Sequence, residues 1–288
     1  MINRAVVFIL FLAAMTNAAF AQRSEFRLPA NYKPLAMKVS ESHQALVDRA
    51  VMDALERFRD KKLRAEDVAV TFIDLSDGSF LQSGAARGEA KIYPASVSKM
   101  FYMVALQRWL EDGRVVLTKE LERGQRDMIV DSSNEATQYV LDVLTGTSSG
   151  AELPAKEFAK WSFKRNIVNR YFAAQGYENI NVNQKTFCED AYGVEQQFRG
   201  YKGDNRNMLT TNATARLMAE IVLGLTNTKE RTSTMIKLLE RDLTREMKDA
   251  DDQTFGFTGI ALRKINGVKL WSKAGWTSKT RHDVAYFE

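Results

Sequence analysis

The stretch of sequence that decides the fold reads YPASVSKMFYMVAL and spans residues 93–106. Pro94 is disfavoured inside a helix but well suited to its first turn. The run after Lys99 contains neither Gly nor Pro before Gly113, and its apolar spacing is typical of a largely buried helix. Ser96 is therefore expected at the N-terminus of a helix, with Lys99 on the same face.

A lysine amine on the same helix face as a serine can serve as its base. A serine hydroxyl is a weak nucleophile alone, and a desolvated lysine near another cation is neutral enough to take its proton. The positive end of the helix dipole favours both the neutral lysine and an acyl oxyanion. However, Ser-x-x-Lys arises by chance about once in a chain of this length. A capping serine followed by a solvated lysine would also explain it.

The composition is that of a globular protein with a substantial core. Of the 288 residues, 45% are hydrophobic and 27% are charged, and the formal net charge is +5. Basic residues alternate with acidic ones and form no stripe with interleaved aromatics, so nucleic acid is not an expected partner. A mildly basic surface instead suits an anionic substrate or a polymer of the cell envelope.

Cysteine and histidine are too scarce for several kinds of site. Cys188 is the only cysteine, so no internal disulfide can form. His43 and His282 are the only histidines, which argues against a zinc site and against a histidine-based triad. We therefore expect neither a metal nor another cofactor.

Residues 1–21 are typical of a secretory signal peptide. A positive charge precedes an apolar core at residues 5–15, and Ala21 ends a small-residue cleavage motif. The apolar core is too short for a membrane span, and no later stretch is long enough to cross a bilayer. We expect cleavage after Ala21 and a periplasmic or secreted protein without a membrane span.

The sequence pattern predicts strands near both ends of the chain and helices between them. Helical periodicity covers residues 40–61, 96–111, 117–130, 134–144, 155–174, 212–224 and 229–248. Strands are predicted at residues 68–75, 79–82, 258–265, 268–273 and 284–287. Residues 176–210 are rich in Gly, Asn and charged side chains. This segment is longer than a loop that only connects two elements, so a functional role is expected.

This order of elements predicts an α+β fold. After an extension at residues 22–39, residues 40–90 and 250–288 are expected to build one antiparallel sheet flanked by helices. A helical domain at residues 91–249 is inserted between the two parts of the sheet.

A second polar motif, MIVDSSNEAT, occupies residues 128–137. Ser132 and Asn134 lie at the junction of two predicted helices, where side chains can point into a cleft. A hydroxyl can relay a proton, and an asparagine amide can both donate to and accept from a substrate amide. A simple N-cap pair is the alternative explanation.

A third motif, WSKAGWTS, occupies residues 271–278 on a predicted strand. Gly275 would let a ligand approach the strand backbone closely. Lys273 would attract a carboxylate. The N–H of Trp276 would add an oxyanion donor to that of Ser96. A sheet lysine next to a bend is the alternative explanation.

Taken in order, PASxxK, MIxxSxNxA and KxG resemble the motifs of the penicillin-recognising serine hydrolases, in particular the class A β-lactamases. The segments TTNATARL at 210–217 and TRHDVA at 280–285 also resemble parts of that family. The resemblance covers residues 45–288 and implies a β-lactamase/transpeptidase-like fold.

The resemblance also implies a role for each motif residue. Ser96 would be the acylated nucleophile and Lys99 its base. Ser132 would relay the proton to the leaving nitrogen, and Asn134 would hold the substrate amide. The other residues expected to bind the substrate are Lys273, Gly275, Trp276 and Thr277.

Two departures from the family pattern concern the cleft. Ala274 stands where Thr or Ser is usual, which removes a donor to the substrate carboxylate. The hydroxyls that could replace it belong to Ser272, Thr277 and Ser278. Ser132 follows Ser96 by 36 residues, a shorter spacing than the resemblance implies, so a more open cleft for bulky or polymeric substrates is expected.

A third departure concerns release of the acyl group. Class A enzymes carry Glu-x-x-x-Asn in an Ω-shaped loop, where the glutamate activates water, and residues 176–210 lack that string. Glu195 falls near the expected place, with Arg199 where Asn is expected, and is the candidate base. The rival carboxylates are Glu189, Asp190 and Asp204. Without such a base an acyl-enzyme forms but hydrolyses slowly, as in a penicillin-binding protein.

The sequence therefore predicts an exported serine hydrolase of class A β-lactamase type, acylated at Ser96 by a β-lactam or a related amide or ester. One alternative is a peptidoglycan-directed peptidase or esterase that lacks efficient deacylation. Another is a non-catalytic envelope-binding protein that retains the fold. The expected partner in each case is a β-lactam or a peptidoglycan-derived molecule. The family normally adds a strand and a helix after the strand in which this sequence ends, so an incomplete sheet or a truncated sequence is expected.

Overall fold

The computed structural model describes residues 25–28, 32–76, 81–249 and 252–288. The helices are α1 (Glu41–Arg57), α2 (Ser98–Glu111), α3 (Lys119–Ile129), α4 (Asn134–Thr145), α5 (Ala155–Arg165), α6 (Ile167–Ala174), α7 (Val194–Arg199), α8 (Thr211–Val222), α9 (Lys229–Leu239) and α10 (Thr258–Leu262). The strands are β1 (Met37–Val39), β2 (Val70–Asp74), β3 (Leu81–Ala86), β4 (Glu240–Arg241), β5 (Leu270–Trp276) and β6 (Arg281–Phe287). The predicted signal peptide lies outside the described residues.

The described strands form two three-stranded sheets, in the orders β1-β3-β2 and β4-β5-β6. Strand β3 is parallel to β1 and antiparallel to β2, whereas β5 is antiparallel to both of its neighbours. The predicted α+β class is confirmed, but the single antiparallel sheet is divided in two within the described part of the chain. Strands β2 and β6 line a common cavity of about 760 Å³.

Helix α2 is the centre of the molecule. Every residue from Ser98 to Leu110 is buried, which confirms the buried helix predicted from the sequence. A helix that is apolar on all sides must be surrounded, and α2 packs against α3, α4, α6 and α9. The short 3₁₀ turn before it, Ala95–Val97, packs against β5 and β6. The core therefore places the start of α2 at the second sheet.

Two long predicted helices are shorter in the structure. The helix predicted at 155–174 is divided at Asn166 into α5 and α6. The helix predicted at 229–248 ends at Leu239, and β4 pairs with β5 directly after it. Arg241 explains this ending, because its buried guanidinium donates to the backbone oxygen of Ser272 at 2.7 Å and so ties the chain to β5.

The strand predicted at residues 258–265 is wrong, since helix α10 begins at Thr258. Strand β5 pairs with β6 along its whole length, and β4 pairs only with its first two residues, Leu270 and Trp271. The N–H of Thr258 donates to Asp283 Oδ2 at 3.1 Å and satisfies one free donor at the start of this helix.

The polar segment 176–210 has its own internal structure. It contains α7, and Asn181 forms an antiparallel bridge with Met208. Among the described residues, no helix is both long and apolar enough to span a bilayer.

Candidate active site

Ser96 lies in the 3₁₀ turn that leads directly into α2. Its neighbour Ala95 has φ of 46°, a left-handed conformation that is uncommon for a residue with a Cβ. The hydroxyl of Ser98 donates to the backbone oxygen of Ala95 at 3.0 Å and holds the turn. A strained backbone next to a half-buried serine at a helix N-terminus is typical of a functional position.

Lys99 is completely buried, and residues 132–134 hold its amine. Nζ donates to the backbone oxygen of Ser132 at 2.6 Å and to Asn134 Oδ1 at 2.9 Å, and it lies 3.2 Å from Ser132 Oγ. Burial lowers the pKa of Lys99 to about 7, although Glu135 and Cys188 act to raise it. A large share of the amine is therefore neutral near pH 7 and can accept a proton.

The sequence predicts that the Lys99 amine reaches the Ser96 hydroxyl, but in the structure this amine has other partners. Within the described chain, Lys99 Nζ forms no hydrogen bond with Ser96 Oγ and donates instead to residues 132–134. The nucleophile and the amine are adjacent along α2, and the amine is held on the side of Ser132 in this state.

Ser132 lies between α3 and α4 in a left-handed conformation, with φ of 57°. Its hydroxyl is 3.2 Å from Lys99 Nζ and 3.0 Å from Lys273 Nζ. A hydroxyl has one proton to donate and two lone pairs that accept. Ser132 can therefore accept from a charged amine on one side and donate to a neutral amine on the other, which is the geometry of a proton relay.

Lys273 on β5 is also completely buried. Its amine donates to Ser132 Oγ, to Gln253 Oε1 at 2.7 Å and to the backbone oxygen of Ala274 at 2.5 Å. Burial lowers the pKa of Lys273 well below its usual range, and the charges of Lys99 and Arg241 lower it further. The site thus contains two amines of reduced basicity around one hydroxyl.

Gly275 allows a close approach between two backbone segments. A Cβ at this position would lie 2.7 Å from the backbone nitrogen of Ser96 and 2.8 Å from the backbone oxygen of Pro94. Such contacts are too short for real atoms, so only glycine lets β5 pass directly against the turn that carries Ser96. The close approach seen in the structure is between two backbone segments.

The N–H of Trp276 is not used in the pairing of β5 with β6. Lys269 and Glu288 exchange both backbone hydrogen bonds, and Thr277 N donates to Thr280 O. Because hydrogen-bonded pairs alternate along an antiparallel ladder, the intervening pair of Trp276 and Arg281 is not hydrogen-bonded. The N–H of Trp276 therefore points away from β6, as an oxyanion donor at the end of this strand would.

Asn134 is fixed from two sides. Its Oδ1 accepts from Lys99, and its Nδ2 donates to Cys188 Sγ at 3.5 Å. The same thiol lies 3.8 Å from Glu135 Oε1. Segment 176–210 thus reaches the site through an exposed cysteine, for which the sequence analysis predicted no active-site role.

The structure does not bring Glu195 into this cluster. Its carboxylate is 1% exposed, and Arg165 donates to both of its oxygens at 2.8 Å. Ser149 donates to one of these oxygens at 2.9 Å, and the Lys185 amine is 3.4 Å away. A base that activates water needs a free lone pair near the acyl group, so this placement argues against that role for Glu195.

Thr277 is exposed at the end of β5, and its hydroxyl takes part in the following turn. Its Oγ1 lies 2.9 Å from Thr280 Oγ1 and accepts from Lys279 N at 3.1 Å. Ser272 is buried and lies two residues, about 7 Å, along β5 from Ala274. Neither hydroxyl is therefore placed as a substitute for the one missing at Ala274.

Two residues beside Lys273 were missed by the sequence analysis. Gln253 is a direct hydrogen-bond partner of its amine, and Arg241 adds a second buried cation whose own pKa is lowered by burial to about 10. Gln253 is a polar residue in a segment without periodicity, and Arg241 falls within the helix predicted at 229–248, so neither gave a signal for the site. Among the described residues, no group of three or more His, Cys, Asp and Glu side chains could hold a metal ion.

A serine at the start of a buried helix, with two buried lysines around a second serine, defines the class of β-lactamase-like serine enzymes. The chain belongs to the beta-lactamase enzyme family, since the model of that family matches residues 50–288. No curated protein matches the chain.

Solved structures with the same fold share little sequence with this protein. A β-lactamase from Sphaerobacter thermophilus is 17% identical, with a TM-score of 0.57, over 86% of this chain and 84% of that one. A β-lactamase from Chitinophaga pinensis is 13% identical, with a TM-score of 0.53, over 82% and 84%. A point mutant of PBP-A, in an acyl-enzyme complex with penicillin G, is 16% identical, with a TM-score of 0.51, over 87% and 88%. At these identities the similarities show the fold alone.

Proposed function

We propose that this protein is an exported serine hydrolase that is acylated at Ser96 by a β-lactam or by a related amide or ester. The observation that carries this proposal is the Ser132 hydroxyl between two buried amines, 3.2 Å from Lys99 and 3.0 Å from Lys273. Amines of lowered pKa can move protons to and from hydroxyls near neutral pH, without a histidine.

Acylation begins when the neutral amine of Lys99 takes the proton of Ser96. The Ser96 oxygen then attacks the carbonyl carbon, and negative charge develops on the carbonyl oxygen. The N–H groups of Ser96 and Trp276 stabilise that charge, and the positive end of α2 contributes to the same field.

The acyl-enzyme forms when the carbon–nitrogen bond of the substrate breaks. The leaving nitrogen takes a proton from the Ser132 hydroxyl, which is replaced by a proton from one of the two neighbouring amines. Asn134 lies beside this relay and can hold the substrate amide through its own amide group. The product of this half-reaction is an ester of Ser96.

A second candidate function is that of a peptidoglycan-directed peptidase or esterase with slow deacylation. This candidate is favoured by the ion pair between Glu195 and Arg165. Both carboxylate oxygens of the predicted water-activating base accept hydrogen bonds from Arg165. A non-catalytic envelope-binding protein is the third candidate, and an acylation experiment separates it from the other two.

Labelling with a fluorescent penicillin tests the proposal directly. Wild type is expected to be labelled covalently and Ser96→Ala not at all, with the modified peptide located by mass spectrometry. The matched control is Ser233→Ala, which removes an exposed hydroxyl on α9 and leaves the turn of Ser96 intact. Wild type that remains unlabelled by penicillin and by a fluorophosphonate would contradict the proposal and favour the envelope-binding protein.

Burst kinetics with a chromogenic cephalosporin separate the two catalytic candidates. Steady turnover after the first equivalent supports a β-lactamase. Release of a single equivalent, followed by a persistent acyl-enzyme in the intact mass, supports the penicillin-binding type.

Export is the remaining part of the proposal, and it is supported by the signal-like composition of residues 1–21. Expression in a Gram-negative host should give a mature chain that starts at Gln22 in the periplasm or the medium. An uncleaved chain in the cytoplasm would contradict export without affecting the proposal for Ser96.

A further inference from the structure

Gln253 has a buried donor without a partner, directly beside the amine of Lys273. The side chain is 8% exposed, and its Oε1 accepts from Lys273 Nζ at 2.7 Å. Its Nε2 is buried and has no hydrogen-bond partner among the described residues. Buried donors are almost always paired, because an unpaired one loses its water without compensation. An unpartnered amide N–H at this place is available to a ligand.

The same part of the site lacks the hydroxyl expected beside Lys273 to bind an anionic substrate. Ala274 has no hydroxyl, the Thr277 hydroxyl takes part in its own turn, and Ser272 lies two residues, about 7 Å, along β5 from Ala274. Lys273 itself already contacts three oxygen atoms, those of Ser132, Gln253 and Ala274. A carboxylate that reaches Lys273 therefore needs a second, neutral donor close by.

We propose that Gln253 is a substrate-binding residue whose Nε2 donates to the carboxylate of the substrate, in place of the hydroxyl missing at Ala274. Because Oε1 and Nε2 belong to one planar amide, an anion in contact with Lys273 is within reach of Nε2. The amide thus orients the lysine through its oxygen and binds the anion through its nitrogen. This inference rests on the proposed function and adds a preference for substrates with a free carboxylate.

The test compares a cephalosporin that carries a free carboxylate with its methyl ester. The measured quantity is the second-order rate constant for acylation of Ser96. A hydrogen bond to a charged group contributes roughly 10- to 100-fold, so Gln253→Ala should lower the constant for the acid by that factor. The constant for the ester should fall by less than about threefold, since a neutral ester makes a much weaker bond.

A second variant separates donation to the substrate from orientation of Lys273. Gln253→Glu keeps an acceptor for the lysine and replaces the donor by a charge that repels a carboxylate. Both substrates share any effect of the new charge on Lys273, so the ratio of the rate constant for the acid to that for the ester should fall roughly 10-fold or more. Gln253→Ala combined with Ala274→Thr should recover part of the rate for the acid, because it restores a hydroxyl donor on β5.

Gln197→Ala is the matched control. It removes a glutamine that exchanges two hydrogen bonds with the backbone of Leu153, both at 3.0 Å, away from the site. It should change the rates of acid and ester equally. Equal losses on acid and ester in both Gln253 variants would overturn this inference while leaving the proposed function standing. Absence of acylation in wild type would overturn the proposed function and this inference with it.

Discussion

At the scale of single residues, the central feature is one hydroxyl between two buried amines. Lys99 and Lys273 are both completely buried, and both point at Ser132. Two ammonium groups so close together repel each other strongly where water is absent. Burial and this repulsion together keep at least one amine neutral, so the base that the chemistry needs is a consequence of packing.

The pH dependence of acylation follows from the pKa of Lys99. Because burial lowers that pKa to about 7, the neutral base becomes more abundant as the pH rises through neutrality. We expect the acylation rate of Ser96 to rise about tenfold for each pH unit below the pKa and to level off above it. Stopped-flow labelling between pH 5.5 and 9 measures this profile. The control is Lys99→Arg, which stays charged and should be slower at every pH. A wild-type rate that is flat below pH 7 would contradict the assignment.

Gly275 is expected to be required for the position of Ser96. A Cβ in Gly275→Ala would meet backbone atoms of the Ser96 turn at 2.7–2.8 Å, and backbone cannot move aside as a flexible side chain can. We expect acylation to fall at least 100-fold, an effect of about 3 kcal/mol on the barrier. Labelling kinetics and thermal unfolding measure the effect.

Gly150→Ala is the matched control for this substitution. Its Cβ would meet no atom within 4 Å, so acylation should be unchanged. A Gly275→Ala variant that is as active as this control would show that the turn tolerates displacement.

The residues of the three motifs could be predicted from the sequence, because the polar side chains of each motif lie at fixed spacing on a single helix or strand. It offered no comparable signal for Gln253, which meets Lys273 from 20 residues away. Cys188 meets Asn134 from 54 residues away. Contacts of this kind depend on how loops return to the site, and no local periodicity encodes them.

At the scale of elements, segment 176–210 is anchored by a buried group of charges. Arg165 on α5 pairs with Glu195 on α7, and the amine of Lys185 lies 3.4 Å from the same carboxylate. Asp142 on α4 accepts from Lys185 at 2.7 Å. These ion pairs connect the segment to two helices, and the same segment carries Cys188 to the active site.

Glu195 is therefore expected to matter for stability. Glu195→Gln leaves the fully buried Arg165 without its main counter-charge, which should lower the free energy of unfolding by about 3–5 kcal/mol. Urea unfolding at pH 7.5 measures this effect. The control is Glu189→Gln, an exposed carboxylate in the same segment, expected to change stability by less than about 0.5 kcal/mol.

The rate at which the acyl-enzyme hydrolyses gives a second readout of the same variant. If Glu195 only anchors the segment, this rate should be similar in wild type and in Glu195→Gln. If Glu195→Gln has normal stability but a much lower deacylation rate, Glu195 acts as the water-activating base predicted from the sequence.

Helices were predicted correctly where the hydrophobic periodicity runs over many residues. The prediction failed where tertiary contacts decide the local conformation. Helix α2 was predicted well because its apolar run leaves no other arrangement than burial. Residues 258–265 have the composition of a strand, yet α10 forms there, and its first N–H bonds to Asp283 on β6. The end of α9 at Leu239 depends on Arg241 reaching Ser272, a tertiary contact that helical periodicity does not contain.

At the scale of the whole molecule, the buried lysines make folding depend on pH. The pKa of Lys99 is about 7 in the folded protein and about 10.4 for an unfolded lysine. Between these values the unfolded chain binds more protons, so the free energy of unfolding rises with pH. Above about pH 10 the opposite trend takes over, because burial raises the pKa of Tyr102 in the folded state.

We expect stability to increase between pH 7.5 and 9.5 by up to about 1.4 kcal/mol per pH unit from Lys99, with a further contribution from Lys273. Urea unfolding across this range measures the slope. The slope should become smaller in Lys99→Met, which does not titrate. An identical slope in this variant would mean that Lys99 is charged in the folded state.

The left-handed backbone at Ser132 constrains how this protein could change. That conformation turns the backbone oxygen of Ser132 toward Lys99, at 2.6 Å, independently of the hydroxyl. Glycine adopts the same backbone without strain, so a single codon change could abolish the relay while leaving the lysine anchored and the scaffold relaxed. A single substitution at position 132 would therefore turn an enzyme into an inert, well-folded relative.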